Sequence, residues 1–450
     1  MTTELRSIAR HAGTVLVGQL AVMAFGVTDT IVAGRFSSEA LAALSVGSAV
    51  YISIAVALNG VIQAQLPVWA ELRGGARHTD VGRSFRQALY LALAAIAFGC
   101  TCLLLPGPLL RWTEVPPALQ GEVQIYLAIL AATLPPALLF RMVATLNQSL
   151  GRPLLVTWLQ IGGLALKVPL SAWFCFGGLG LPVMGLPGCA WATLVVTYLM
   201  LACVGWMLRT SSMYAPYGIW HKLEAPHWPT LRAFLRLGVP TGLAILVEVT
   251  AFTLMALFIA RLGTVAAASH QIAANLVGVL YMMPLSLGIA VSARVSYWLG
   301  AGDDRRARLA LRLGLKLAIG LALGSATLVI ALHASLARLY AGANAPVVAL
   351  AASLLVWAAL YHLADAVQAV CVFVLRSYGV AISSLLVYCV MLWGVGLGGG
   401  YLLAYRGIAG FGPMRDPAAF WSAGAAALAL TSAIFMALLW RAVQARRLRT

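Results

Sequence analysis

The sequence predicts an all-α polytopic membrane protein with twelve transmembrane helices arranged as two pseudo-symmetric six-helix lobes. Three observations predict this fold: the composition, a series of long apolar runs, and an internal repeat. Hydrophobic residues make up 62% of the 450 residues and charged residues only 10%, whereas soluble domains contain about 25% charged residues. Too few polar side chains are present to cover a water-facing surface, so we expect lipid to surround most of the chain.

Apolar runs of roughly 20 residues or more recur along the chain, and each can cross a hydrocarbon core of about 30 Å at about 1.5 Å per residue. The first run is too long for a cleaved signal peptide and no small-residue cleavage site follows it, so we expect it to remain as the first span. The predicted spans lie near 12–34, 43–70, 87–110, 124–147, 154–176, 187–208, 234–260, 267–299, 311–336, 347–375, 380–405 and 420–440.

The lysine and arginine residues lie mostly at alternate connections. Of the 30 in the chain, 21 fall at the termini or after even-numbered spans, and six, including Arg111, fall at the opposite connections. Because cytoplasmic connections of membrane proteins are enriched in Lys and Arg, we expect a multi-pass protein of the cytoplasmic (inner) membrane with both termini in the cytoplasm. The same distribution argues against a nucleic-acid partner, although the net charge is +17.

An internal repeat appears when the chain is compared with itself at an offset close to half its length. The aligned pairs include Arg6 with Arg232, Arg10 with Arg236, Arg35 with Arg261 and Arg86 with Arg312. Each half holds six spans, an even number, so we expect two parallel lobes related by an axis along the membrane normal, a design typical of alternating-access transporters. The predicted boundaries are an N-lobe at 1–208, a cytoplasmic linker at 209–233 and a C-lobe at 234–450.

Three of the 13 acidic residues lie deep in predicted spans: Asp29 in the first, Glu248 in the seventh and Asp365 in the tenth. A carboxylate at the centre of a membrane helix costs about 2.5–3.5 kcal/mol on insertion scales, so such residues usually serve a function. The structural alternative is that each carboxylate pairs with a cation or a hydroxyl group and only fixes the register of its helix.

The tenth span gathers several polar groups around its carboxylate. Tyr361, Asp365 and Gln368 are spaced by four and three residues and share one helix face, with His362 one turn before Asp365. Such a set can bind a hard cation through oxygen atoms or hold a proton, so Glu248 and Asp365 are the candidate Na⁺ ligands if sodium is the ion. Further supporting polar residues, which could equally form interhelical hydrogen bonds, are Gln271 and Asn275.

The first half differs because Lys167 lies inside the fifth span. An ammonium group held against Asp29 would occupy the position that a sodium ion needs, so we interpret the two residues as a candidate ion or substrate pair and a poor sodium site. The alternative is that Lys167 extends toward the membrane interface.

Five segments carry these polar residues in a recognisable pattern. They are VTDTIVAGRFSSEALAAL (27–44), EVTAFTLMALFIARLG (248–263), HQIAANL (270–276), MPLSLGIAVSARV (283–295) and YHLADAVQAVCVFVLRSYG (361–379). They resemble the multidrug and toxic compound extrusion (MATE) family, in its bacterial NorM-type branch, and the likeness covers nearly the whole chain. The resemblance places Asp29 and Glu248 at functional carboxylates of the family. It also places Asp365 at the cation-binding aspartate, with Tyr361 beside it.

The resemblance implies a cation-coupled antiporter, driven by Na⁺ or H⁺, that exports amphipathic and often cationic drugs or toxic metabolites by alternating access. It further implies a monomer in the lipid bilayer with a small-molecule, drug-like substrate, no enzymatic activity and no cofactor beyond the transported ion. Lys167 and Ser171 stand where branch members usually carry asparagine, which weakens the transfer of a cation-binding role to Asp29. His362 stands where glutamine is usual, so the coupling ion stays open. No GxxxxGK[ST] loop is present, which argues for an ion gradient as the energy source in place of ATP.

Two alternative functions remain. A flippase for a lipid-linked precursor would need a basic cavity lining for phosphate groups, and only Lys167 and Arg294 are candidates for one. A membrane-embedded enzyme or receptor would need clustered metal ligands, a nucleophile motif or a large extramembrane domain, and the sequence contains none of these patterns.

Overall fold

The computed structural model describes residues 2–107, 117–178, 180–342, 344–407 and 412–448. Twelve helices in these ranges are long and apolar enough to cross a membrane, which confirms the predicted all-α fold. The described ranges contain no strand beyond a single bridge between Gly178 and Leu181. The predicted end of the third span, Arg111 and the two ends of the chain lie outside the described residues.

The helices are numbered here in chain order. They are α1 (Thr2–Phe36), α2 (Ser38–Gln63), α3 (Leu66–Gly74), α4 (His78–Leu104), α5 (Pro117–Ser149), α6 (Leu154–Phe176), α7 (Leu186–Thr210), α8 (Trp228–Ala260), α9 (Thr264–Gly300), α10 (Asp304–Ala341), α11 (Ala345–Ser377), α12 (Ile382–Arg406) and α13 (Ala418–Arg447). The second span combines α2 and α3. Most helices are longer than the predicted spans, because helical hydrogen bonding continues into water whereas hydropathy marks only the part in lipid.

Short polar side chains begin several of these helices. Ser37 accepts a hydrogen bond from the backbone N–H of Ala40 at the start of α2, and Asp303 accepts one from Arg306 at the start of α10. These N-caps satisfy backbone donors that a new helix leaves unpaired. Gly342 ends α10 with a φ of 58°, a left-handed conformation that glycine adopts without a steric penalty.

The chain folds into two compact units, one formed by Val17–Gly242 and the other by Met1–Leu16 together with Leu243–Thr450. Two helices, α1 and α8, therefore each contribute to both units. The two division points, after Leu16 and after Gly242, are equivalent positions of the internal repeat. The predicted lobes at 1–208 and 234–450 follow the repeat along the chain and stay a prediction, whereas the units are defined by packing.

Each unit has its own core. In Val17–Gly242 the buried apolar residues lie between α2, α4, α5 and α7. In the other unit α11 is central, because it packs against α9, α10 and α13. The helix that carries Tyr361, Asp365 and Gln368 is thus surrounded by three neighbours, which removes most of its polar groups from lipid.

The first turn of α1 is fastened to the C-terminal part of α9. The Nε and Nη2 atoms of Arg294 donate to the two carboxylate oxygens of Glu4 at 2.8 and 2.6 Å, and Trp298 Nε1 donates to the same carboxylate at 3.1 Å. A bidentate Arg–carboxylate pair is among the stronger polar contacts in proteins. This contact explains why Met1–Leu16 belongs to the unit of Leu243–Thr450.

The segment between α7 and α8 is fastened to α4. Arg86 donates Nε to Glu224 at 2.9 Å and Nη2 to the other carboxylate oxygen at 2.5 Å, and its Nη1 donates to the carbonyl of Gly218. Two further side chains of α4 bind the same segment: Gln87 donates to the carbonyl of Ala225 at 3.0 Å, and Tyr90 to the carbonyl of Glu224 at 2.9 Å. One face of α4 therefore holds the connection in place.

We expect the Glu224→Gln variant to lose thermal stability at neutral pH, by up to roughly 2–4 °C because Glu224 is partly exposed. The Arg86 guanidinium lowers the pKa of Glu224 below its usual range. A carboxylate with a lowered folded-state pKa stabilises the protein above its unfolded pKa of about 4.3, and the contribution disappears as the pH falls through the folded pKa. The difference from wild type, measured by thermal melts across pH, should therefore vanish in acid. The exposed Glu122 is the control, and an equal loss in Glu122→Gln would contradict this role.

Candidate functional site

A cavity opens inside the unit of Leu243–Thr450. Its empty volume, which includes the open space at its mouth, is about 410 Å³. The lining residues come from α8, α11, α12 and α13: Glu248, Ala251, Phe252, Met255, Tyr361, Leu392, Gly396, Leu397, Phe420 and Gly424. Glu248 is the one charged residue in this lining, and no residue of the described ranges donates a hydrogen bond to its carboxylate. The cavity therefore presents a free carboxylate against apolar and aromatic walls.

The wall formed by α12 has an unusual helical geometry. Residues Cys389–Gly398 and Leu402–Arg406 are π-helical, a wide-turn form that is uncommon and frequent at functional sites. Leu392, Gly396 and Leu397 line the cavity from the first of these stretches. Gly400 lies directly against Phe420 of α13, where a side chain would not fit without displacing that ring.

Asp365 is not part of the cavity lining and is almost fully buried, with 2% of its surface exposed. Gln368 donates from Nε2 to Asp365 Oδ1 at 2.8 Å, and the Tyr388 hydroxyl donates to Gln368 Oε1. The carboxylate of Asp365 also interacts electrostatically with Glu248. The predicted proximity of Asp365 and Gln368 is present in the structure as this hydrogen bond, while their role as a site stays a prediction. Tyr388 was missed because a lone tyrosine in an apolar run gives no signal.

Tyr361 joins an aromatic cluster beside Glu248. Its ring lies 5.8 Å from Phe252 and 5.7 Å from Trp421, both nearly edge-to-face. Edge-to-face packing stabilises such rings in fixed orientations. Phe252 and Tyr361 both line the cavity, so aromatic faces are available to a cation that enters it. Sequence analysis identified Tyr361 but not Phe252, which lies one helical turn after Glu248.

A buried arginine, Arg376, lies at the C-terminal end of α11. It follows Asp365 by eleven residues, about three helical turns, and so lies on the same helix face. It is 6% exposed, packs its guanidinium 4.3 Å from the Phe373 ring centre, and interacts electrostatically with Glu248. Sequence analysis assigned Arg376 to a cytoplasmic connection. The described residues of this unit thus include the buried carboxylate of Asp365, the half-buried carboxylate of Glu248 and the buried guanidinium of Arg376.

His362 does not join the group around Asp365. Its Nε2 atom is 3.0 Å from the hydroxyl of Ser325 on α10, and the side chain is fully buried. The hydroxyl of a neighbouring helix, which sequence spacing cannot reveal, holds the imidazole. Gln271 and Asn275 bond to each other at 3.2 Å and are exposed, and neither belongs to the cavity lining.

A second cluster of charged residues inside the spans lies in the unit of Val17–Gly242. Lys167 Nζ lies 2.8 and 3.0 Å from the two carboxylate oxygens of Asp29 and donates to the Thr193 hydroxyl at 2.5 Å. Ser171 donates to Asp29 at 3.5 Å, and the ammonium lies 5.6 Å from the centre of the Phe25 ring. Lys167 is fully buried. The predicted pairing of Asp29 with Lys167 is present in the structure, while its role in transport stays a prediction.

The described residues contain no group of three or more His, Cys, Asp and Glu side chains that could hold a metal ion. The candidate cation ligands are therefore the two carboxylates, Glu248 and Asp365, together with the phenol of Tyr361. Two carboxylates can accept a proton or a monovalent cation.

Comparison with known proteins identifies the family. A family model described as MatE matches the chain twice, over residues 15–173 and 240–402. The chain belongs to the MatE family. The two matches begin at nearly equivalent positions of the internal repeat, and each begins near a division point between the packing units.

Curated relatives cover most of this MatE chain. It is 37% identical to the probable multidrug resistance protein NorM of Aromatoleum aromaticum over 427 residues. The aligned region covers 94% of this chain and 91% of the relative. The chain is 34% identical over 401 residues to the multidrug resistance protein PmpM of Pseudomonas aeruginosa, covering 89% of the chain and 84% of that relative. The assignment to a transporter family in place of an enzyme family follows from these matches.

Solved structures confirm the MatE fold. A mutant of the Vibrio cholerae MATE transporter VcmN matches with a TM-score of 0.88 at 17% identity, covering 99% of this chain and 98% of that one. The eukaryotic MATE transporter AtDTX14 matches with a TM-score of 0.87 at 18% identity, covering 100% and 99%. At these identities the likeness concerns the fold alone. This MatE protein is therefore a multi-pass membrane protein with the twelve-helix fold that its sequence predicts.

Proposed function

We propose that this MatE protein is an antiporter of the cytoplasmic membrane that exports amphipathic, often cationic drugs or toxic metabolites in exchange for H⁺ or Na⁺ by alternating access. The observation that carries the proposal is the free carboxylate of Glu248 in an aromatic-lined cavity, together with the buried carboxylate of Asp365 that interacts electrostatically with it. The names of the relatives, multidrug resistance proteins, support the substrate class. The protein acts as a monomer with both termini in the cytoplasm.

The charge balance of the cavity supports a coupling ratio of one cation per cycle. Glu248 and Asp365 interact electrostatically with each other, and the guanidinium of Arg376, the one buried cation among the described residues of the unit of Leu243–Thr450, interacts with Glu248. One net negative charge then remains in a low-dielectric environment, where an uncompensated charge is costly. One proton or one sodium ion neutralises it, and Tyr361 lies beside the two carboxylates to complete the site.

The other unit does not load an ion in this proposal. Lys167 already neutralises Asp29 and is itself bound to Thr193. A tethered ammonium group cannot be released to either side of the membrane, so it fixes the charge of that unit throughout the cycle. Ion coupling then belongs to the unit of Leu243–Thr450 alone.

The flippase alternative loses its support. Its basic lining depended on Lys167 and Arg294, but Lys167 is paired with Asp29 and Arg294 with Glu4. A lining of Phe252, Tyr361 and Phe420 suits an organic cation, which aromatic faces attract, better than a phosphate group.

The test is uptake of tetraphenylphosphonium, a monovalent organic cation, by everted vesicles loaded with either an acidic lumen or a sodium-rich lumen. We expect one of the two gradients to drive uptake. Tetraphenylphosphonium also crosses bilayers unaided and follows the membrane potential, so the transporter's share is the uptake in excess of vesicles without the protein. Because one cation exchanges for one monovalent drug, imposed potassium–valinomycin potentials of either sign should leave this excess unchanged. Uptake under neither gradient would overturn the proposed function, and a strong dependence on potential would overturn the ratio of one.

The same vesicles report the proposed orientation. In a background without native cysteines, Lys222→Cys should react with a membrane-impermeant maleimide from the outside of everted vesicles, and Arg338→Cys should not. Equal reaction of both would contradict the twelve-span orientation.

A further inference from the structure

An exposed group of basic side chains lies at the connection between α7 and α8, and the transport cycle proposed above does not use it. We call this group the cationic patch; it consists of Arg209, Lys222, Arg232 and Arg236. All four are exposed, and none of them has a hydrogen-bond or ion-pair partner among the described residues. The acid nearest to them in the connection, Glu224, is already bound by Arg86.

Two residues of the cationic patch share one face of α8. Arg232 and Arg236 are four residues apart, a spacing that brings Cβ atoms to within about 5–6 Å, and like charges at this spacing repel. One phosphate group can accept hydrogen bonds from two guanidinium groups at once and removes that repulsion. The pair is therefore suited to a phosphate group.

The face of α8 that carries these arginines continues as an apolar surface. Leu235 and Val239 are both exposed, at 42% and 41%. A ligand that covers the whole face must combine an anionic group with a hydrocarbon part. A soluble anion matches only the first of these requirements, whereas a phospholipid matches both.

Three tryptophans mark this level of the molecule as a membrane interface. Trp206 lies near the C-terminal end of α7, Trp220 lies in the connection and Trp228 begins α8, and they are exposed by 69%, 59% and 74%. Tryptophan is enriched where lipid headgroups meet the hydrocarbon core. The cationic patch thus lies where headgroup phosphates of a bilayer are located.

We propose that the cationic patch binds the phosphate headgroup of an anionic phospholipid, with an acyl chain along Leu235 and Val239. Basic residues at the membrane surface attract anionic lipids, and the attraction adds up over neighbouring charges. The assignment of this lipid to the cytoplasmic leaflet is the one part of the proposal that rests on the proposed membrane orientation. Binding itself is independent of the coupling ion and of the drug, so it can be tested without a transport assay.

The internal repeat supplies a matched comparison. Arg6 and Arg10 occupy the positions in α1 that Arg232 and Arg236 occupy in α8, and they are also exposed. The other elements of the site are absent there: Thr2, Ala9 and Gly13 stand where α8 has Trp228, Leu235 and Val239. Charge and spacing are therefore equal in the two pairs, while the apolar and aromatic surroundings differ.

The experiment measures binding of dioleoylphosphatidylglycerol and dioleoylphosphatidylcholine to the purified full chain by native mass spectrometry. We expect Arg232→Gln with Arg236→Gln to weaken phosphatidylglycerol binding by roughly tenfold or more, and Arg6→Gln with Arg10→Gln to change it by less than about twofold. Equal losses of phosphatidylglycerol binding in the two double variants would mean that only the net charge of the protein matters, and would overturn the proposal. Equal binding of the two lipids by wild type would overturn it as well.

Competition with inorganic phosphate separates the two sources of a phosphate group. If millimolar inorganic phosphate displaces phosphatidylglycerol from the wild-type protein, the ligand is a soluble phosphate and the lipid proposal is overturned. No displacement is expected. Should the Arg232 and Arg236 double variant fail to fold, Lys222→Gln with Trp228→Ala is measured in the same way, and unchanged phosphatidylglycerol binding in that variant would overturn the proposal.

Discussion

Replacement of Asp365 by asparagine is expected to reduce gradient-driven efflux to the background of vesicles without the transporter. Asparagine has nearly the same shape and can still accept the hydrogen bond from Gln368, but it can neither release a proton nor attract a cation. The variant should fold at least as stably as wild type, because a buried carboxylate in a span costs about 2.5–3.5 kcal/mol. Uptake by everted vesicles, which reports efflux from the cell, and a thermal melt of the purified protein measure the two effects.

A matched control makes the same chemical change outside the spans. Asp416 accepts a hydrogen bond from the backbone N–H of Ala418 at 2.7 Å, and asparagine keeps such a cap. Asp416→Asn should transport normally. If Asp365→Asn transports at the wild-type rate and is present in equal amount, Asp365 does not carry the coupling ion.

The second large effect is expected in a double-mutant cycle on Asp29 and Lys167. Removal of one member of a buried ion pair leaves an uncompensated charge and typically costs about 3–5 kcal/mol, whereas removal of both costs much less. Asp29→Asn and Lys167→Met should therefore each destabilise the protein and impair efflux, and the double variant should recover much of both losses. Thermal stability and vesicle efflux of the four proteins give the coupling energy.

The comparison pair lies in the other unit. Asp365→Asn combined with Arg376→Met also removes one negative and one positive charge, but we expect no recovery of efflux because the carboxylate that carries the ion is lost. A double variant of Asp29 and Lys167 as damaged as the sum of its single variants would mean that the two residues are not energetically coupled. Asp29 would then return as a candidate for ion coupling.

The spans and the charges within them could be predicted from the sequence, because both follow from the cost of placing polar groups in lipid. The same cost predicted the pairing of Lys167 with Asp29, since an isolated ammonium group has few partners in a span. Spacing along α11 correctly brought Asp365 and Gln368 together, because helix periodicity determines which side chains share a face.

Periodicity along one helix carries no information about the helix that packs against it. The site features that were not predicted depend on such neighbouring helices. His362 is held by Ser325 of α10, and Gln368 by Tyr388 of α12. The helical continuation of α11 buries Arg376, although hydropathy alone placed this residue in a connection. These partners become visible only when the helices are packed.

The first segment of α1 belongs to the unit of Leu243–Thr450, and the first segment of α8 belongs to the unit of Val17–Gly242. Each packing unit is therefore built from both halves of the polypeptide. A protease cut in the connection would yield two fragments, each of which carries the piece that completes the fold of the other. We therefore expect neither fragment to fold as a finished unit when it is produced alone, and the two to complete each other when they are produced together.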